Sequence, residues 1–71
     1  MNWSKILKTL RENMMLTQTE MAKLLKVSFA SINRWENGHN VPAMKIKRKL
    51  KDLCVEHNID INKFVEVKEE N

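Results

Sequence analysis

The chain has 71 residues, of which 42% are apolar, so it can form one small domain around a single core. No apolar run exceeds three residues, which excludes a membrane span or the apolar core of a secretion signal within this sequence. Cys54 is the only cysteine and cannot form an internal disulfide, so we expect a reducing, cytoplasmic setting.

Positive charge is concentrated in the first part of the chain. The net charge is +4, but residues 1–58 contain 11 Lys and Arg against 5 Asp and Glu, whereas residues 59–71 contain 2 against 4. A basic body of this kind suits a polyanionic partner such as nucleic acid. Many proteins with a similar surplus bind no polyanion, so charge alone leaves the partner open.

The composition predicts an all-α domain. There is one glycine and one proline, while Leu, Lys, Glu, Met and Ala, all good helix formers, are plentiful. A first helix is predicted from Asn2 or Trp3 to about Asn13, capped by Asn2 or Ser4. Its inner face carries apolar residues at helical spacing: Ile6, Leu7, Leu10 and Met14.

Two hydroxyl residues predict where the next two helices begin. Thr17 and Glu20 have the spacing of a capping box, in which the side chain of each residue bonds the backbone N–H of the other. This pattern predicts a second helix over Gln18–Leu25. Ser28 is placed to cap a third helix, which we expect from Phe29 to about Asn37.

A tight turn at Lys26 and Val27 joins these two helices, and Gly38 ends the second of them. The small Ala22 allows the helices to cross closely. Two short amphipathic helices joined in this way form the arrangement that places a helix in the major groove of DNA. We expect a core formed by the apolar residues of all the helices: Leu10, Met21, Ala22, Leu25, Val27, Ile32, Trp35, Ile46, Leu50, Leu53 and Cys54.

A fourth helix is predicted from Pro42, at a first helical position, to about His57. Basic residues crowd its first half: Lys45, Lys47, Arg48, Lys49 and Lys51. Such a cluster either lies along the phosphate backbone of DNA or forms an ordinary solvated face. Because a helix turns by about 100° per residue, only some of the five side chains can face one surface, and we favour Lys45 and Lys49.

The end of the chain has two interpretations. Asp60 could cap a short fifth helix over Ile61–Val65, whereas the alternating residues Val65–Lys68 also fit a short edge strand. We expect a domain over residues 1–66, followed by a frayed acidic tail at 67–71.

The segment Thr17–Gly38 resembles the helix-turn-helix of the phage repressor and Cro family, also called Xre-type regulators. The residues that carry the resemblance are Gln18, Glu20, Ala22, Val27-Ser28, Ile32 and Trp35-Glu36-Asn37-Gly38. More generic matches extend it to roughly residues 3–65: Pro42, Ile59-Asp60-Ile61 and Phe64-Val65. The resemblance implies a compact four- to five-helix lambda-repressor-like fold that binds double-stranded DNA through a recognition helix of about residues 28–37.

The family's functional positions can be carried over to individual residues. Arg11 and Glu36 match a structural salt bridge, and Gln18 is also expected to approach helix 3. The positions expected to read base edges are Phe29, Ala30, Asn33 and Arg34. The resemblance implies phosphate contacts at Gln18 and Ser31. Position or charge adds further candidates: Ser28, which also caps helix 3, His39, Asn40, Lys45 and Lys49.

The chemistry of the side chains supports some of these assignments and leaves others open. The Arg34 guanidinium presents two donors that fit O6 and N7 of guanine, and Asn33 could bond N6 and N7 of adenine, although either can also be an ordinary solvated residue. Phe29 departs from the polar residue usual at its position, and could contact a thymine methyl or act in packing. Lys26 replaces the glycine usual in the turn, at a cost of about 1 kcal/mol in the left-handed conformation.

The sequence offers no convincing site for catalysis, a cofactor or a metal. Cys54 and His57 are three residues apart on a helix, but zinc needs further ligands and no second pair is present. There is no Gly-rich phosphate loop and no clear nucleophile–base pair, so we expect neither an enzyme nor a protein with a cofactor. No small-molecule ligand is evident.

We therefore interpret the chain as a small transcriptional regulator, most simply a repressor, that binds specific double-stranded DNA as a homodimer. The dimer interface is expected from the apolar residues near the end of the chain: Ile59, Ile61, Phe64, Val65 and Val67. Two alternatives remain. The helix-turn-helix could be a scaffold for binding a protein, or it could act as the antitoxin or targeting domain of a larger system.

Overall fold

The computed structural model of the protein describes residues 1–65, which form four α-helices and a terminal 3-10 helix. The α-helices are α1 (Trp3–Asn13), α2 (Gln18–Leu25), α3 (Phe29–Glu36) and α4 (Met44–Glu56), and the 3-10 helix spans Ile61–Phe64. The predicted all-helical fold is confirmed. Only Val65 of the alternative strand over residues 65–68 lies among the described residues. The rest of that strand and the acidic tail lie outside them.

Side-chain caps begin three of the four α-helices, as the sequence predicts. Asn2, Thr17 and Ser28 each accept a hydrogen bond from the backbone N–H three residues further on, at 3.0–3.1 Å. At α2 the capping box is complete, because a Glu20 carboxylate oxygen accepts from the Thr17 N–H at 2.8 Å. These caps satisfy backbone donors that a helix leaves unpaired at its start.

The predicted start of α4 at Pro42 is wrong. Ala43, with φ −66° and ψ 162°, is the extended residue before the helix, and its carbonyl accepts from the N–H groups of Ile46 and Lys47 at 3.0 and 2.9 Å. The first turn therefore begins at Met44. Pro42 is fully buried, so it serves as a packing residue of the loop.

All four α-helices end in the same way. Met15, Lys26, Gly38 and Asn58 have φ between 59° and 75°, in the left-handed region. At each end, the N–H of this residue reaches the carbonyl three residues back at 3.0–3.2 Å, and the next N–H reaches the carbonyl five residues before it at 2.8–3.0 Å. This is the Schellman motif, for which glycine is the favoured residue. The sequence predicted the left-handed residue at Lys26 and Gly38, but not at Met15 and Asn58.

The core lies between α1 and the helices that pack on it. α1 contacts α3, α4 and the 3-10 helix, while α2 packs on α3. The buried apolar residues are Ile6, Leu7, Leu10, Met21, Ala22, Leu25, Ile32, Trp35, Leu50 and Cys54. Val27, Ile46 and Leu53, expected in the core, lie half-buried at its margin. No helix within residues 1–65 is long and apolar enough to cross a membrane.

Candidate nucleic-acid interface

The outer face of α3 is open to solvent. Phe29 is 50% exposed, and Ala30 and Arg34 are also exposed, whereas Asn33 is half-buried. Ile32 and Trp35 anchor the opposite face in the core, at 0% and 8% exposure. The helix therefore presents a polar, partly aromatic side outward from a rigid base.

The predicted ion pair between Arg11 and Glu36 is present and ties α1 to the end of α3. Arg11 Nε lies 2.7 Å from Glu36 Oε2, and Arg11 Nη2 lies 3.0 Å from Glu36 Oε1. A third donor, Nη1, bonds the Leu16 carbonyl at 3.0 Å. The hydrogen bond with Glu36 raises the pKa of Arg11, so the guanidinium stays charged, and the ion pair fixes where α3 ends relative to α1.

Three amide side chains extend this network toward the outer face of α3. Gln18 Nε2 donates to Glu36 Oε1 at 3.1 Å. Asn33 Nδ2 donates to Gln18 Oε1 at 3.4 Å, and Asn37 Nδ2 donates to Asn33 Oδ1 at 3.1 Å. Gln18 thus contacts α3, as the resemblance implies, and its side chain is oriented by two bonds within the protein.

Two serine hydroxyls meet at the start of α3. The Oγ atoms of Ser28 and Ser31 are 3.0 Å apart, and Ser28 Oγ also accepts from the Ser31 N–H at 3.0 Å. Only one of the two O–H groups can donate across this pair. The other is free to donate to an external acceptor such as a phosphate oxygen.

The loop after α3 lies close to the start of α1. The His39 N–H bonds the Arg34 carbonyl at 3.0 Å as part of the helix end, and the His39 side chain is exposed. Asn40 lines a cleft together with Asn2 and Trp3. Both candidate phosphate residues are therefore at the surface, and Asn40 lies beside the α1 terminus.

The basic residues of α4 fall on different surfaces. Lys45 and Lys49 line a groove that also includes Lys26, from the turn between α2 and α3. Lys47 points elsewhere, because its Nζ lies 5.6 Å above the centre of the Trp3 ring on α1. The groove thus brings three lysines together next to the turn that leads into α3.

The residues expected in a dimer interface are divided between the core and the surface. Ile59, Ile61 and Phe64 are half-buried and pack against the protein's own core. Val65 is 49% exposed, and Val67 lies outside the described residues.

Sequence reasoning missed two members of this region. Asn37 lies four residues after Asn33, so helical periodicity could have placed it on the same face. Lys26 departs from the glycine usual at its position, and its charge within the predicted turn is the signal that could have identified it. Its proximity to Lys45 and Lys49 depends on how α4 packs, which the sequence does not reveal.

Cys54 is buried and is not part of this surface. Its side chain is fully buried, and burial raises the pKa of its thiol. Within residues 1–65, no group of three or more His, Cys, Asp and Glu side chains could hold a metal ion.

Comparison with known proteins gives one match. A family model described as helix-turn-helix matches residues 7–54, which contain α2, α3, the turn between them and most of α1 and α4. Neither the curated proteins nor the solved structures include a match to the chain. The family match shows that the chain belongs to the phage repressor and Cro (Xre-type) family of DNA-binding helix-turn-helix regulators.

Proposed function

We propose that this domain is a transcriptional repressor that binds a specific double-stranded DNA sequence, with α3 in the major groove. The observation that carries the proposal is the uncovered outer face of α3, on which Phe29, Ala30 and Arg34 are exposed. An α-helix fits the major groove, where each base pair presents a distinct pattern of donors and acceptors.

Arg34 is the residue proposed to discriminate most strongly between bases. It is exposed in the last turn of α3, and its guanidinium can donate two parallel hydrogen bonds to O6 and N7 of guanine. Phe29 is half exposed at the first position of α3, where its ring can contact a thymine methyl. Ala30, beside it, allows close approach to the base edges.

Affinity would come mainly from the groups that surround this face. The free hydroxyl of the Ser28–Ser31 pair and the start of α2 at Gln18 offer donors to phosphate oxygens. Lys45 and Lys49 supply charge along the groove beside the turn, and His39 and Asn40 supply donors after α3. Contacts of this kind position a protein on DNA without reading its sequence.

Selection of bound sites from random duplexes, followed by affinity measurements on the selected site, tests the proposal. Arg34→Ala should weaken binding to that site by about 1–3 kcal/mol and blur the preference at one base pair. Arg48→Ala is a matched control, because it removes an exposed arginine of α4 without touching α3. The assignment of the reading face is wrong if Arg34→Ala changes the selected sequence no more than Arg48→Ala does.

A salt titration distinguishes DNA binding from a protein-interaction module on the same scaffold. The logarithm of the DNA affinity should fall linearly with the logarithm of salt concentration, and Lys45→Ala should lower that slope by about 0.9 on all sequences alike. An apolar protein contact, for example through Phe29, would change little with salt. Binding that is indifferent to salt would therefore favour the protein-interaction module.

We propose further that two copies bind DNA as a homodimer through the region that follows α4. One copy offers a single short recognition helix, whereas two copies can reach successive major grooves about 34 Å apart. Val65 remains exposed at the end of the described chain, beside the half-buried Ile61 and Phe64. Sedimentation of the protein alone and with a selected duplex tests this, and a monomer under both conditions would refute it.

A further inference from the structure

We propose that Glu36 sets the direction in which the amide side chains on α3 present donors and acceptors to DNA. The proposal rests on the proposed DNA recognition and adds positioning residues to it. Glu36 and Gln18 would act on base preference through Asn33 and Asn37, without themselves touching a base.

The Arg11–Glu36 ion pair, at the inner end of the network, determines the direction in which the amides donate. Arg11 has only donors, and the Glu36 carboxylate, whose side chain is 5% exposed, has only acceptors. Glu36 Oε1 receives Arg11 Nη2 at 3.0 Å and Gln18 Nε2 at 3.1 Å. If the Gln18 amide were reversed, its oxygen would face the carboxylate oxygen with no hydrogen between them.

The orientation of Gln18 then determines the next two amides. Its oxygen is directed to Asn33, whose Nδ2 donates to it at 3.4 Å. Asn33 must therefore turn its own oxygen the other way, where it accepts from Asn37 Nδ2 at 3.1 Å. Each hydrogen bond has one donor and one acceptor. The whole series of amides is therefore satisfied when donation runs in a single direction, from Asn37 to Glu36.

This direction leaves defined groups for an external partner. Asn33 keeps one N–H and one oxygen lone pair, and the exposed Asn37 keeps its oxygen and one N–H. An amide reads adenine by accepting from N6 while donating to N7. If the oxygen and nitrogen exchanged places, a donor would face a donor and the preferred base would differ.

Glu36→Gln should release this direction. The oxygen of the new amide can accept from only one side of Arg11, either Nε at 2.7 Å or Nη2 at 3.0 Å, and its NH₂ then faces the other Arg11 donor. With the oxygen on Nε, the NH₂ faces Gln18 and the three amides turn over, whereas with the oxygen on Nη2 they keep the wild-type direction, so the variant should populate both. Arg11→Lys is the matched control, because it also weakens the ion pair but leaves an acceptor-only carboxylate at position 36.

Nuclear magnetic resonance of the free protein tests the direction without DNA. In the wild type, the Gln18 side-chain NH₂ should show nuclear Overhauser effects to the Glu36 side chain, and the Asn33 NH₂ should show them to Gln18. In Glu36→Gln, the Gln18 NH₂ should show effects to Asn33 as well as to residue 36, while Arg11→Lys should keep the wild-type pattern. The wild-type spectrum needs no variant, and a Gln18 NH₂ that faces Asn33 there would overturn the proposal.

Site selection from random duplexes tests the consequence for recognition. Glu36→Gln should change or lose the preference at one base pair by about tenfold, since one such contact discriminates by this order. Arg11→Lys should lower stability and keep the preference. Identical base preferences in all three proteins would overturn the role in recognition. Failure of the wild type to select any sequence would instead refute the proposed function. The spectra would still report the direction in which the amides of Asn37, Asn33 and Gln18 donate.

Discussion

Replacing Met15 with glycine should stabilise the domain. Met15 adopts φ 59° at the end of α1, and a side chain in this left-handed conformation costs about 1–2 kcal/mol. Met15 is 89% exposed, so its removal sacrifices little packing. Glycine has more freedom in the unfolded chain, which offsets about 0.5–1 kcal/mol of the gain. The net stabilisation should therefore be about 0.5–1 kcal/mol.

Thermal unfolding followed by circular dichroism measures this effect. For 71 residues the entropy of unfolding is about 0.15 kcal/mol/K, so the midpoint should rise by about 3–7 °C. Met15→Ala is the control, because it removes the exposed side chain but keeps the strained Cβ. Asn58→Gly, at the end of α4, should give a smaller rise, since asparagine tolerates the left-handed region better. A Met15→Gly midpoint no higher than that of Met15→Ala would refute the assignment of strain at this position.

Three further predictions concern titration, the partly buried ion pair and the thiol. The hydrogen bonds from Thr17 hold the pKa of Glu20 below its ordinary 4.5, so the stabilisation they give is present at neutral pH and is lost as pH falls through the lowered value. Glu20→Gln keeps a bonding partner that does not titrate, so unfolding measured below pH 4.5 should depend less steeply on pH. Arg11→Met should lower the free energy of unfolding by about 3–5 kcal/mol in urea titrations, because it leaves the Glu36 charge without its partner, and a loss below 1 kcal/mol would contradict that account. Cys54 should react with a thiol reagent only as fast as the protein unfolds, since its thiol is buried and its pKa is raised; rapid labelling of the native protein would contradict its burial.

The sequence predicted the helix starts well because each cap is a local interaction. Thr17 and Glu20 are three residues apart and bond each other without help from the rest of the fold. The start of α4 was predicted wrongly because it depends on tertiary packing. Proline is suited to a first helical position, but Pro42 is fully buried in the loop before Ala43, and the helix begins after it.

The candidate site was predictable only in part, for the same reason. Periodicity within α3 places Arg34 on the outer face, away from the buried side that Ile32 and Trp35 define together. The amide chain cannot be derived from periodicity, because Gln18 comes from another helix and meets Asn33 and Glu36 only once α2 has packed on α3. Likewise, the sequence shows the charge of Lys26 but not the groove in which it lies.

Lys26 shows how the turn combines strain with charge. It has the same φ as Met15, 59°, but its side chain lines the groove with Lys45 and Lys49. Lys26→Gly should therefore stabilise the domain by about 0.5–1 kcal/mol, as at Met15, while it weakens DNA binding and lowers the salt slope by about 0.9. Met15→Gly should raise stability and leave DNA affinity unchanged, because Met15 lies outside the proposed interface. Equal affinity in the two variants would show that Lys26 does not contribute to phosphate binding. A fall in affinity at Lys26 alone would explain why lysine is useful in a turn whose conformation favours glycine.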